Sequence, residues 1–229
     1  LDRPKRCPLS RRHICGTLIA GAAAYAKSFA EGSRTLPNHR ERAALLQAEI
    51  ALAQGKLDAS QDFIQQVPDE SDLVNERQML RGRMALTRAN ELERTARTDG
   101  NNEALAESER LYAKSIELLR EALSHHASGQ GLSSQASYLI GTAFRRQGEL
   151  EAAQDQFFRT RKRYYNTPEG VVASLEEAEV LLELGRLEEG SSALRRTASH
   201  ITSPGQFSNP YVSDKQLRER VETGFQTLY

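Results

Sequence analysis

Apolar residues recur at three- and four-residue intervals along most of this chain, and no stretch alternates apolar with polar long enough to suggest a strand. The pattern predicts helices over residues 13–31, 39–54, 57–67, 71–98, 103–126, 135–147, 149–164, 168–184 and 187–200, with a last one from about Ser213. Leu105, Tyr112, Ile116, Leu119 and Leu123 mark one helical face, and Leu217, Val221, Phe225 and Leu228 mark another. Punctuation falls between them: GSRTLPN, Gly55-Lys56, Pro68, DGNN, ASGQGLSS and TSPGQFSNP. DESD offers helix-capping side chains for the fourth element. Thr167-Pro168-Glu169 reads as a complete helix start, with a cap, a proline at the first helical position and an acid in the first turn.

The helices come in pairs joined by tight turns, which prompts a search for a repeat. QGKLDAS, QGELEAA and LGRLEEG each place a glycine before a charged residue and a leucine. Aligned on those turns, Ala48, Gly141 and Ala178 fall at one equivalent position; Gly82 lies 34 residues after Ala48, and Ala178 lies 37 after Gly141. The step from Gly82 to Gly141 is 59, so the second pair is elongated, with Ala89 where a turn would fall. A glycine inside a helix costs about 1 kcal/mol relative to alanine. Gly141 in the middle of an apolar face therefore predicts close helix packing, with Ala153 opposite and Phe144 and Phe157 interdigitating.

Residues 134–168 carry Ile140-Gly141, Phe144, Ala153, Phe157 and Pro168, a pattern that resembles the tetratricopeptide repeat (TPR) family, with Ser137 in the place of its tryptophan. Ala178, Leu181 and Leu194 extend the resemblance through 171–200, Ala48, Ala51, Ser60 and Ile64 extend it to 41–68, and Gly82 and Ala85 place the second pair. The resemblance implies an all-α fold, a TPR-like right-handed α-solenoid of antiparallel helix pairs with about nine to ten helices. The implied organisation is a basic segment and first helix over 1–38, repeats over 39–200 (pairs 39–68, 71–127, 134–165 and 168–200), and a loop with a capping or truncated-repeat helix over 201–229. The 37-residue spacing and the junction at Thr167-Pro168-Glu169 are similar to those of bacterial cell-envelope TPR proteins, although capping alone explains the junction.

Composition narrows the function. Lys plus Arg and Asp plus Glu are both 31, which argues against a nucleic-acid binder. The N-terminal RPKRCPLSRRH and the apolar 14–26 have the outline of a basic region followed by a short hydrophobic one, below the ~20 residues a membrane span needs. A structural helix, the stub of a membrane anchor and a signal peptide all stay open there. Cys7 and Cys15 form no framework for the chain and belong to no zinc spacing.

No phosphate-binding loop, HExxH or GxSxG is present, so no catalytic residue, cofactor or metal site is expected. His125-His126 point about 100° apart on a helix, too far to share a metal well. Glu176, Glu177 and Glu179, and Glu188 with Glu189, read as solvated faces. RTRKRYY at 159–165 reads either as a contact for phosphate or acidic peptide or, more simply, as a cation-rich helix end.

The TPR resemblance implies a concave groove lined by the first helix of each pair. Carried over by register, the groove positions are Leu45 and Glu49; Met79, Arg83 and Leu86; Tyr138, Thr142 and Arg145; and Leu175, Glu179 and Leu182. Glu49 and Thr142 replace the polar residues with which some members clamp a carboxylate, leaving a mixed groove in which Arg83 and Arg145 could take an acidic group. The expectation is a non-catalytic protein–protein interaction scaffold binding a peptide segment or partner protein. The alternative is a self-association or anchoring segment of a larger cell-envelope protein, with any membrane tether outside this stretch.

Overall fold

The computed structural model describes residues 37–124, 129–201 and 209–228, and every regular element among them is helical. Nine α-helices run in order among the described residues: α1 (Pro37–Ala53), α2 (Leu57–Ile64), α3 (Val74–Asp99), α4 (Asn102–Ser124), α5 (Gln130–Arg146), α6 (Leu150–Arg163), α7 (Pro168–Glu183), α8 (Leu187–Ala198) and α9 (Asp214–Gln226), with a 3-10 turn at Ser199–Ile201. The helix expected over 13–31, both cysteines and His125-His126 lie outside the described residues. The chain forms two compact units, residues 1–80 and 81–229, divided within α3.

In the first unit α1 and α2 fold back on each other across Gly55, whose φ of 73° is the left-handed conformation that glycine adopts without a Cβ penalty. Ala48 is fully buried, and the Ser60 hydroxyl donates to its carbonyl at 2.9 Å. Such a bond needs the two backbones close together, which the alanines at 43, 44, 48 and 51 permit. α2 stops at Ile64, short of the expected residue 67, and a turn leads from there to Pro68. The helix expected from Ser71 starts instead at Val74, because the Ser71 hydroxyl accepts from the Leu73 amide in a local turn and donates to Glu41.

From α4 onward each helix of the second unit packs against the next, and α5 with α7 and α7 with α9 also lie side by side. Elongation of the second pair is plain in α3, at 26 residues, and α4, at 23. They close on each other where Ser115 donates to the Gly82 carbonyl at 2.8 Å and the Leu119 side chain fills the space a Cβ on Gly82 would need. Further along, the buried Tyr112 phenol meets Asn90 at 2.9 Å and Glu93 at 2.5 Å. Burial and the Glu93 carboxylate hold that phenol far above its ordinary pKa.

Gly141 resolves somewhat differently from expectation. A Cβ there would lie 2.6 Å from Phe157 Cε1, so the ring of Phe157, rather than Ala153, takes up the room. Phe157 and Ala153 are both fully buried in a core shared with Tyr138, Leu175, Val180 and Leu217.

The 37-residue step recurs in the interior. Ser137 and Thr160 share a hydroxyl–hydroxyl hydrogen bond of 2.7 Å, and Ser174 and Thr197, each 37 positions on, share one of 2.9 Å. Thr167 caps α7 by accepting from the Gly170 amide, with Pro168 at the first helical position. Ser213 and Gln216 form a reciprocal capping box at the start of α9. α5 begins at Gln130, not at residue 135. The Ser134 hydroxyl lies 2.9 Å from the buried Glu169 on α7, a tertiary contact that holds the Ser- and Gly-rich stretch helical.

Candidate functional site

The groove positions in the first unit are mostly interior: Leu45 and Met79 are buried, and Glu49 is exposed. In the second unit Leu86 and Leu175 are buried, Arg83 is half-buried, and Thr142 bonds back to its own helix at Tyr138. Tyr138 is buried too, its ring meeting Phe157 at 6.1 Å and Tyr211 edge-on at 5.0 Å. Tyr211 comes from the segment before α9, receives a hydrogen bond from Gln135 and donates one to Glu169. It covers the Tyr138 end of the face formed by α5 and α7. Burial, then the nearby Glu176, pushes the Tyr138 phenol up to about 12.

The other end of that face is open. Arg145, Glu179 and Leu182 line one cavity of about 490 Å³ together with Glu183, Leu187, Glu219, Arg220, Thr223, Gly224 and Thr227. Three of the positions carried over by register, from α5 and α7, thus meet at one place, and α9 supplies the opposite wall. Its size is within the range of ligand-binding clefts.

A charge network forms its floor. Arg145, in the last turn of α5, donates to Glu176, Glu179 (2.9 Å) and Glu183 on α7. Arg220 on α9 donates to Glu176 at 2.8 Å and to both oxygens of Glu179 at 2.7 and 2.6 Å. Two guanidiniums therefore tie α5 and α9 to one acidic face of α7.

Burial alone would lower the pKa of both arginines; Glu176 and its neighbours reverse this for Arg145, and Glu179 with Glu176 does so for Arg220, so both are held above the ordinary guanidinium value. Burial likewise pushes the Glu179 carboxyl up, but Arg220 and Arg145 together outweigh it and hold it below the usual carboxylate range.

This corrects three readings of the sequence. Glu176, Glu177 and Glu179 are not a solvated face: their side chains are 13%, 3% and 20% exposed. Glu177 is bound by Arg161 and faces Arg196 at 3.5 Å, so part of the basic run 159–165 is spent on an internal carboxylate. Tyr164 is buried and Tyr165 is largely exposed. Arg145, in turn, is not an open guanidinium awaiting an acidic group.

Sequence reasoning missed Glu183 and Arg220 altogether. Glu176, Glu179 and Glu183 follow an i, i+3, i+7 spacing that places them on one stripe of α7, and this signal was present. Nothing in the sequence paired Arg220 with them.

Two further cavities lie in this unit. One, of about 560 Å³, runs beside Ile116 and Phe144, with Arg120 stacked 5.6 Å over the Phe144 ring. The other, beside Asn90, Glu93 and Arg146, is about 580 Å³. Among the described residues no group of three His, Cys, Asp or Glu could hold a metal ion, and no helix is long and apolar enough to cross a membrane. Comparisons with family models, with curated proteins and with solved structures find no match.

Proposed function

We propose that this chain is a non-catalytic, tetratricopeptide-type interaction scaffold and that its second unit holds a peptide segment of a partner protein in the cavity between α5, α7 and α9. The observation that carries the reading is the meeting of Arg145, Glu179 and Leu182 in one cavity. The repeat register places all three at groove positions of two successive pairs.

The 37-residue recurrence of the buried Ser–Thr pairs supports the repeat register from which those positions came. A lone helical hairpin cannot bury both of its apolar faces; stacking successive hairpins does so and leaves the first helices aligned along one surface. The fold by itself does not choose a partner, and the cavity carries the functional reading.

Panning a library of random short peptides against the intact chain tests it. Thr223 is exposed on the cavity wall, so Thr223→Trp fills the space without altering charge or core. Enrichment by the wild-type protein that disappears with a folded Thr223→Trp variant is the expected result. No enrichment above an unrelated helical protein, or enrichment that survives the tryptophan, would sink the reading.

A further inference from the structure

We infer that the cavity between α5, α7 and α9 selects a cationic peptide segment, one presenting an arginine or lysine beside an apolar residue, and rejects acidic ones. This rests on the proposed peptide-binding role and adds the chemistry of the ligand.

The charge balance carries it. Within and beneath the cavity two guanidiniums, Arg145 and Arg220, face the carboxylates of Glu176, Glu179 and Glu183, and Glu219 adds a fourth carboxylate to the lining. Each arginine is already engaged by at least two of the glutamates. A ligand carboxylate would have to break those hydrogen bonds and then sit among four like charges, which costs free energy in a partly desolvated site.

A ligand cation meets the opposite situation. An ionised carboxylate offers about four acceptor positions, and Glu183, with a side chain 42% exposed, accepts from Arg145 through Oε1. Glu219 is 58% exposed and pairs with Lys215 at 3.5 Å, a side chain 84% exposed, where water screens the pair. Lys215 lessens the acidic surplus but leaves it in place.

The walls fit the rest of such a side chain. Leu182 and the 48%-exposed Leu187 form an apolar patch next to the carboxylates, and the exposed apolar surface of Leu187 is otherwise left to water. Arginine and lysine bury an aliphatic stem while keeping the charged head at a polar rim, so one long cationic side chain can cover the leucines and reach Glu183 or Glu219.

The test sequences the peptides recovered in the panning experiment and then measures the best of them by fluorescence anisotropy on the intact chain. The recovered pool is expected to hold several-fold more Lys and Arg than Asp and Glu. Glu219→Lys, at an exposed position, is expected to weaken the best peptide by about tenfold, as reversal of a rim charge does, and Glu183→Gln to weaken it less. Raising the salt should weaken wild-type binding and leave Glu219→Lys less affected. A pool without basic bias, or one rich in acidic residues, overturns the inference while the interaction role stands. A basic pool whose affinity is the same for wild-type and Glu219→Lys also overturns it. Failure to recover any peptide removes the interaction role itself, so the two ideas fail separately.

Discussion

The ring of Phe157 occupies the space that a side chain on Gly141 would need, with Cε1 2.6 Å and Cδ1 2.7 Å from where a Cβ would stand. Phe157 is fully buried among the side chains of its core. Gly141→Ala should therefore destabilise the chain by about 1–3 kcal/mol, the usual range for overpacking, even though alanine is the better helix former. Gly131 makes the control. It lies in the first turn of α5, and a Cβ there meets nothing within 4 Å. Gly131→Ala should be neutral or stabilising by up to about 1 kcal/mol. Chemical denaturation of both variants decides the matter, and equal effects would show that close packing at Gly141 is not what the glycine serves.

Glu177 stands 37 residues after Ile140, at the equivalent place in the next hairpin, yet it is a buried carboxylate bound by Arg161. Removing one partner of such a pair leaves an uncompensated charge, whereas replacing both can be nearly neutral. Arg161→Ala should cost about 2 kcal/mol, less than a fully buried pair because Arg161 is partly exposed and Arg196 remains nearby. The double variant Glu177→Leu with Arg161→Met should recover much of that loss. Double-mutant melts that are simply additive would contradict the pairing.

The charge network beneath the cavity makes a pH prediction whose sign is determined by Glu179. Its folded pKa lies below the ordinary value of 4.5, with burial opposing and Arg220 and Arg145 producing the net shift. A depressed carboxyl contributes stability that is complete above the unfolded pKa and is lost as pH falls through the folded one. The wild-type chain should thus melt higher than Glu179→Gln at neutral pH, and the gap should close as the pH drops below 4.5. A gap that stays constant into acid would mean the shift is absent.

Two helix starts can be tested singly. Thr167→Ala removes the acceptor for the Gly170 amide at the head of α7, and Ser213→Ala removes one half of the box at the head of α9. Each should cost about 1 kcal/mol, the usual value for losing such a cap. Thr167→Ser and Ser213→Thr keep the acceptor and should restore most of it. Thermal melts provide the measurement, and full stability in either alanine variant would show that the cap is dispensable there.

Much of the helical outline was legible in the residues themselves, because it depends on local physics. A period near 3.6, glycine at Gly55, Gly148 and Gly185 with positive φ, and the Thr167-Pro168 start each act within a few residues of chain. The sequence pattern starts α5 too late because Ser133 and Ser134 read as loop formers; a contact to Glu169, 35 residues away from Ser134, overrides that propensity.

The partnership of charges was a matter for tertiary structure alone. Arg145 reaches carboxylates 31, 34 and 38 residues on, and Arg220 reaches back 41 and 44. In sequence these glutamates look like any polar stripe, and Arg145 looks like an open cation. Helical periodicity says which residues share a face; only the stacking of α5, α7 and α9 decides what that face meets, because Coulomb attraction and desolvation depend on distance in space and not on spacing along the chain.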